Sequence, residues 1–281
     1  VPDDNFEQYL IDEGHDDVLD DYVTTSSIDT IEIIDIRSGQ LESAVGVEDF
    51  TALKKLVIYE NNLYSINVTK NTNLTYLMLQ DNRLNSIDVT RNTLLEELYL
   101  LMNSISSIDI SNNLELKILF LNYNKLTSID VLNHTKLEQL GASNNDLSSL
   151  DVSNNIELHQ LGLFGSYDQI LTLGDGSTYS GLSNPSLISI DVSNNSKLTN
   201  FNTFSSNLSC IQVSQNQLDA LNNNTLIWNK DNSATYSLGC AEIILDTNGI
   251  TVKCPNANVG DTGVLNGKIY EVVDNLTLIA K

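Results

Sequence analysis

The sequence predicts a mostly β solenoid, a coil of short stacked turns. The first observation is a repeat, which is clearest from Leu74 to Leu94, LTYLMLQDNRLNSIDVTRNTL. The second is alternation, because L-x-L and I-D-V place apolar side chains on one side of an extended segment. The third is size. Burying about seven aliphatic side chains contributes roughly 10–20 kcal/mol, and ordering about 21 residues costs a similar amount, so the turns must stack to be stable.

The repeat carries a family resemblance. The unit reads LxxLxLxxNxL and then continues with a similar second half, on Leu74, Leu77, Leu79, Asn82, Leu84, Ile87, Val89 and Asn92. It resembles the leucine-rich repeat family, in its secreted bacterial class with the pattern LxxLxLxxNxLxxLDVxxN, over roughly residues 31–216. The resemblance implies a parallel sheet on the concave face, whose outward side chains usually form the binding surface. Because each unit has two similar halves, we also expect strands on the convex face.

An N-terminal cap is expected over residues 1–30. Asp3 and Asp4 supply N-cap chemistry and acidic first-turn charge for a short helix. Phe6 and Leu10 lie on one helical face, and Gly14 ends the helix. The cap would cover the open end of the apolar core.

The repeats follow over residues 31–216 and contain one interruption. Their starts are 21 residues apart, at Leu53, Leu74, Leu95, Leu116, Leu137 and Leu158. The next start, Leu198, comes after 40 residues, which leaves 40 − 21 = 19 residues of insertion. The insertion, at about 165–185, carries a turn signal at Gly174–Gly176 and predicts a projecting hairpin or loop.

The C-terminal part divides into a cap, 217–240, and a small extension, 241–281, in which two Asn-Gly turns predict two β-hairpins. The cysteines Cys210, Cys240 and Cys254 lack CxxC spacing, which favours a disulfide in an oxidising compartment over a metal site. The family resemblance implies a Cys210–Cys240 link, which would stabilise the fold by about 3–4 kcal/mol. Cys254 would then pair beyond Lys281 in a longer precursor. Trp228 is expected to close the core.

Two asparagine ladders follow from the register, and we expect their side chains to bond backbone groups at the turns. The first comprises Asn61, Asn82, Asn103, Asn124 and Asn145, and the second Asn71, Asn92, Asn113, Asn155, Asn195 and Asn216. His134 takes one place in the second ladder. His15 and His159 have no serine or cysteine partner in a shared motif, so the sequence does not predict a catalytic triad or an enzyme.

The net charge of the chain limits the kinds of partner that it can bind. Fourteen basic residues against 37 acidic ones give a net charge of −23, which repels nucleic acid and anionic membranes. Cations or neutral glycans suit this surface, although the acidity also serves solubility. No apolar run is long enough to span a membrane, the start at Val1 looks processed, and we expect a secreted or surface-attached monomer. No cofactor is predicted, and Asp16, Asp17 and Asp20 are weak candidates for a calcium site because they lack the order of a calcium loop.

A second polar surface is expected on the convex side, where serine and aspartate rows repeat. They are Ser65, Ser86, Ser107, Ser128, Ser149 and Ser189, and Asp88, Asp109, Asp130, Asp151 and Asp191. Carboxylates about 4.8 Å apart repel by about 1 kcal/mol per pair in water. We expect neighbouring hydroxyl groups, rather than bound calcium, to offset this repulsion. A flat row of this kind could also bind to a crystalline surface.

The predicted binding site lies on the concave sheet. Outward positions of the strands form one apolar and aromatic patch, comprising Tyr59, Tyr76, Met78, Tyr99, Leu101, Ile118 and Phe120. Gly141, Ser143 and Gly162 then predict a hollow, with Phe164 beside it and Tyr167 or Tyr179 closing over it. Such patches tend to mark binding sites, although stacked aromatics could simply cover the sheet.

Two functions remain open. The resemblance implies a secreted or cell-surface recognition or adhesion module that binds a protein or glycan through its concave face. The alternative is a non-catalytic spacer or docking domain of a larger secreted protein or enzyme.

Overall fold

The computed structural model describes residues 1–162, 184, 186–203, 208–230 and 234–239, together with the backbone of seven further strands at 171–172, 178–179, 242–246, 249–253, 262–265, 268–274 and 277–280. The helices are α1 (Asp4–Asp12), α2 (Thr25–Ile28) and α3 (Gln215–Asn222), with a 3₁₀ turn at Val47–Asp49. No helix in this part of the chain is long and apolar enough to cross a membrane.

Strands dominate the rest of the described chain. Along the repeats they are β1 (Ile33–Arg37), β2 (Lys55–Tyr59), β3 (Tyr76–Met78), β4 (Glu97–Tyr99), β5 (Ile118–Phe120), β6 (Gln139–Gly141) and β7 (Gln160–Gly162). They continue as β8 (Leu171–Thr172), β9 (Thr178–Tyr179), β10 (Ser189–Asp191), β11 (Asn200–Asn202), β12 (Cys210–Gln212) and β13 (Thr235–Ser237). The last five are β14 (Glu242–Asp246), β15 (Gly249–Lys253), β16 (Thr262–Leu265), β17 (Lys268–Asp274) and β18 (Thr277–Ala280).

The concave sheet confirms the predicted register. Its eight parallel strands follow the order β1 to β7 and then β11, and the two described strands of the insertion, β8 and β9, form a separate sheet. Each pairing is offset by one repeat, as in Tyr76↔Glu97 and Glu97↔Ile118. The inward apolar side chain of each strand is buried, and Leu77, Leu98 and Leu119 are fully inaccessible to solvent. Successive turns therefore bury one continuous apolar core.

The short N-terminal helix is present, with the predicted Asp3 at its N-cap. Asp3 caps α1, accepting hydrogen bonds from the backbone of Asn5 and Phe6 through one oxygen, while its other oxygen accepts from the backbone of Glu42 and Ser43. One carboxylate thus fixes the start of the helix and joins it to the first turn of the solenoid.

Apolar contacts seat this cap on the core. Phe6 is fully buried and stacks on Phe50 with ring centroids 5.9 Å apart. The Tyr9 hydroxyl accepts a hydrogen bond from the backbone of Asp35, which lies in β1. The cap therefore covers both the apolar end of the coil and part of the sheet edge.

The convex face departs from the prediction of strands throughout. A convex parallel sheet forms only late in the described chain, from β10, β12 and β13. In earlier turns, Ser86–Val89 and its equivalents are not strands, and the backbone bonds between turns lie elsewhere, for example from Arg83 N to Leu63 O. Among the described residues, strand pairing on this side is therefore confined to the last turns.

The first asparagine ladder is confirmed and extends further than expected. Asn103 is typical, because its Nδ2 donates to Leu79 O at 2.9 Å and its Oδ1 accepts from Leu84 N at 3.0 Å. After the insertion Asn184 takes the same role, donating to Ala142 O and accepting from Leu147 N. The regular coil therefore resumes at Asn184, inside the range 165–185 assigned to the insertion.

The second ladder is confirmed except at its end. Asn113 Nδ2 donates to Val89 O and Asn92 O, residues 24 and 21 positions earlier. His134 fills a rung, as predicted, and is buried with its Nε2 3.0 Å from Ile110 O.

The predicted last rung, Asn216, is wrong. Asn216 is exposed, and Gln217 donates instead to Val192 O and Asn195 O. The chain has entered α3 at this point, and Gln217 also closes the capping box with Ser214. The longer glutamine side chain reaches the rung from a helical backbone.

The insertion contains the predicted hairpin, because β8 and β9 pair antiparallel through Leu171↔Tyr179. In the extension, β14 and β15 form the first predicted hairpin. The second is a three-stranded antiparallel sheet of β16, β17 and β18, since the chain turns back once more after β17.

The end of the core is closed as expected by Trp228. Its ring meets Phe201 at 5.2 Å and Tyr236 at 6.0 Å, both nearly edge-on. Cys240 and Cys254 lie outside the described residues, so the Cys210–Cys240 pairing and the disulfide-closed cap stay predictions.

Candidate functional site

The structure brings the predicted concave patch together on neighbouring strands. All seven of its described members are half-buried, and they are Tyr59, Tyr76, Met78, Tyr99, Leu101, Ile118 and Phe120. Phe164, the eighth candidate, lies outside the described residues, as does Tyr167, and the described backbone of Tyr179 does not place its side chain. We call these seven residues the concave patch.

Three rings in the patch form a continuous row. Tyr76 and Tyr99 have centroids 5.3 Å apart with planes tilted by 37°, and Tyr99 and Phe120 meet edge-to-face at 5.6 Å. Contacts of this kind add about 0.5–1.5 kcal/mol per pair beyond the area they bury. The rings are thus held in fixed positions before any partner arrives.

Two cations of the chain lie over rings at the N-terminal end of the patch. Lys55 Nζ is 4.7 Å from the centroid of Tyr76, and Arg37 Cζ is 5.7 Å from that of Tyr59. Arg37 also forms a bidentate ion pair with Asp35, with N–O distances of 2.5 and 2.7 Å. The hydrogen bonds from Arg37 lower the pKa of the Asp35 carboxyl.

Glu97 provides the charge at the centre of the patch. The Tyr99 hydroxyl donates to Glu97 Oε2 at 2.7 Å. Burial, and then this hydrogen bond, raise the pKa of Tyr99 far above its ordinary value, so the hydroxyl stays a donor at physiological pH. Among the described residues Glu97 forms no ion pair with lysine or arginine.

The predicted hollow beside the patch is wrong at Gly141. Gly141 is buried, because Phe120 and Asn122 lean over it from the preceding strand. A Cβ at Gly141 would lie 2.8 Å from Phe120 Cδ1 and closer still to Asn122 Oδ1. Asn122 Nδ2 also donates to Ser143 Oγ, and Ser143 is buried. The small residues make room for neighbouring side chains, which fill the space.

Beyond Gly141 the concave face becomes polar. The first column of outward positions continues with the amides Gln139, Gln160 and Asn200, of which the first two are half-buried and the third is exposed. Their pairing places one amide per strand on β6, β7 and β11. The face thus has an aromatic half and an amide half.

An acidic rim borders the aromatic half. Glu60 and Asp81 follow their strands at equivalent places with left-handed φ angles of 55° and 53°. Burial, and then the charge of Glu60, raise the pKa of the Asp81 carboxyl. The two carboxylates are close enough to repel each other.

The aspartates of the convex face are satisfied locally. Each accepts a hydrogen bond at 2.9–3.1 Å from the backbone N–H two residues further on, at Asp88, Asp109, Asp130, Asp151 and Asp191. Asp88 also accepts a hydrogen bond from the hydroxyl of Thr90. Ser86, which belongs to the serine row, donates instead to Asn85. We expected hydroxyl groups to offset the repulsion between the aspartates, and a hydroxyl does bond to Asp88. It belongs to the residue two positions after the aspartate and not to the serine row.

The weak calcium candidates do not assemble. Within the described ranges no three acidic, histidine or cysteine side chains are grouped to hold a metal ion. Asp16 Oδ1 accepts from Asp17 N, and Asp20 Oδ1 accepts from Tyr22 N. These carboxylates therefore shape their own loop.

Arg37, Lys55 and Glu97 are the site residues that sequence reasoning left out. Lys55 and Glu97 alternate with Tyr76 in one column, and Arg37 pairs with Tyr59. The irregular first repeat conceals Arg37, because the spacing from Arg37 to Tyr59 is 22 residues and not 21. An alignment of columns that began at β1 would have found it.

Solved structures share this architecture. A leucine-rich repeat protein of Leptospira interrogans is 20% identical with a TM-score of 0.53, over 75% of this chain and 55% of that one. Internalin C2 of Listeria monocytogenes is 19% identical with a TM-score of 0.54, over 76% and 94%. Another internalin of Listeria monocytogenes is 19% identical with a TM-score of 0.50, over 84% and 71%.

At these identities the likeness concerns the fold, which is that of a bacterial leucine-rich repeat solenoid. No family model and no curated protein matches the chain. The chain spans about half the length of the Leptospira protein.

Proposed function

We propose that this chain is a non-catalytic recognition module, secreted or held at the cell surface, which binds a protein through the concave patch. The observation that carries the proposal is the row Tyr76, Tyr99 and Phe120, three rings in contact on consecutive strands of an open sheet face. Rigid aromatic side chains lose little conformational entropy on binding, and such residues are common at interface hot spots.

A protein suits the patch better than a glycan does. A sugar ring packs on an uncovered aromatic face, whereas the faces here are partly covered by Lys55 and by neighbouring rings. Apolar and polar side chains of a protein can fill the irregular surface that remains. The predicted disulfide at Cys210 would suit an oxidising compartment, and the net charge of −23 argues against a nucleic-acid partner.

The test is capture of partners from arrays of extracellular proteins and of glycans. A variant with Tyr99→Ala and Phe120→Ala should lose capture while remaining folded by circular dichroism. Tyr64→Ala is the matched control, since Tyr64 is an exposed aromatic outside the concave columns. Capture that persists in the double variant would refute binding through the patch, and capture of glycans alone would replace the protein partner with a carbohydrate.

The alternative function is a spacer or docking domain in a larger protein. The stacked rings would then only cover the sheet. In that case the double variant would lower the melting temperature and leave all partner binding of the full-length protein unchanged.

A further inference from the structure

Positive charge is distributed unevenly along the concave patch. At its N-terminal end Tyr59 and Tyr76 each have a cation of this chain over the ring, at 5.7 and 4.7 Å. Tyr99 and Phe120 have none among the described residues, although they continue the same row. A cation over an aromatic ring contributes about 0.5–2 kcal/mol, and more as water is excluded.

The negative charge lies where the cation is missing. Glu97 accepts the Tyr99 hydroxyl through Oε2, and Oε1 has no hydrogen bond within the described chain. Glu97 is half-buried beside Tyr76 and Ile118, its register partners on β3 and β5. A carboxylate in such a place is stabilised by a counter-ion once a partner removes the remaining water.

The two ends of the row of rings have different neighbours. Lys55 lies over its start at Tyr76, whereas Phe120 at the other end leans over Gly141 beside the amide of Asn122. The neighbours at the Phe120 end are therefore neutral, and the carboxylate of Glu97 is the charge next to it.

We propose that a lysine or arginine side chain of the partner protein binds at Tyr99 and Phe120, with Glu97 as its counter-ion. The same chemistry occurs within this chain, where Lys55 contacts Tyr76 and Arg37 contacts both Tyr59 and Asp35. The net charge of −23 would speed the approach of a basic partner. This inference rests on the proposed function and specifies the partner's contact.

The test uses two small probes on the full chain, N-acetyl-arginine amide and N-acetyl-citrulline amide, which have similar shape and differ in charge. Binding is followed by NMR at the Tyr99 amide and the Ile118 methyl groups. We expect saturable shifts with the arginine probe and roughly tenfold weaker binding of the citrulline probe. Glu97→Gln should weaken arginine binding by a similar factor.

Asp109→Asn is the matched control, because it removes one carboxylate from the convex face and Asn67 already fills the equivalent turn. It should bind the arginine probe like the wild type. Equal binding of both probes, shifts confined to the convex aspartates, or no effect of Glu97→Gln would overturn the inference. If the Tyr99→Ala and Phe120→Ala variant nevertheless loses its partner, the proposed function stands and only the basic contact fails.

Discussion

The side chain of Asn122 lies across Gly141 of the next strand, so that position has no room for a Cβ atom. The same glycine lies beneath Phe120, the last ring of the concave row. A backbone without a side chain thus positions two residues of the preceding turn, one of them in the proposed binding site.

Gly141→Ala is expected to destabilise the fold by about 1–3 kcal/mol, because the added methyl group overpacks the site. Phe120 must move, so partner binding should weaken as well. Thermal unfolding measures the first effect and partner capture the second. Combining it with Asn122→Ala should restore part of the stability; a Gly141→Ala protein as stable as the wild type would contradict the packing described above.

His134→Asn is expected to stabilise the protein. His134 donates one hydrogen bond, to Ile110 O, whereas Asn113 in the previous turn donates two. His134 Nδ1 is buried without a partner, as Asn113 Oδ1 also is, so the expected gain rests on the added hydrogen bond alone. Asparagine would add a bond to Asn113 O, for a gain of about 1 kcal/mol in the free energy of unfolding. Denaturant titration measures it, and His134→Ala, which removes the donor altogether, should shift stability the opposite way.

Gln217→Ala should destabilise the protein by about 1–3 kcal/mol, because the buried hydrogen bonds from Gln217 to Val192 O and Asn195 O are lost and each carbonyl keeps only its backbone donor. Asn216→Ala is the adjacent control. Asn216 is exposed, so its replacement should stay within about 0.5 kcal/mol of the wild type. Chemical unfolding of both variants decides the point: equal losses would mean that the ladder does not continue through Gln217.

Asp81→Asn should raise the melting temperature at pH 7. The pKa of Asp81 is raised in the folded state, by burial and then by Glu60, so the native protein loses stability as pH rises through that value. The gain should vanish below the ordinary carboxyl pKa of 3.8, where Asp81 is protonated in both states. Asparagine also tolerates the left-handed φ of 53° at this position.

Melting curves from pH 3 to 7 measure this effect. Asp109→Asn should behave in the opposite sense, since hydrogen bonds from Ser111 lower the pKa of Asp109 and favour its charged form in the fold. A benefit of Asp81→Asn that is equal at every pH would implicate backbone conformation alone.

The repeat made the concave sheet predictable, because a slip of one residue would bury Tyr76 and expose Leu77. The same logic placed His134 correctly on its rung. Periodicity could not separate Asn216 from Gln217, since the chain leaves the coil there and a helix changes which side chain reaches inward. The location of the convex strands was equally unpredictable, because similar sequence halves do not fix which turns form backbone hydrogen bonds on that side.

The candidate site was predictable as a list of outward residues but not as a set of contacts. Alternation places Tyr99 and Phe120 on one face, yet nothing in the spacing says that Phe120 leans over Gly141 and fills the expected hollow. Lengths and rotamers of neighbouring side chains decide that. For the same reason the cations over Tyr59 and Tyr76 emerged only from the three-dimensional arrangement.

The two asparagine ladders make neighbouring turns depend on each other. In the second ladder the side chain donates to the preceding turn, as Asn113 does to the carbonyls of Val89 and Asn92. In the first ladder the preceding turn also donates to the asparagine, because Leu84 N is hydrogen-bonded to Asn103 Oδ1. Losing a turn from either end would therefore leave a buried polar group of its neighbour without a partner. Truncations inside the array should be tolerated only where a new cap covers the exposed end.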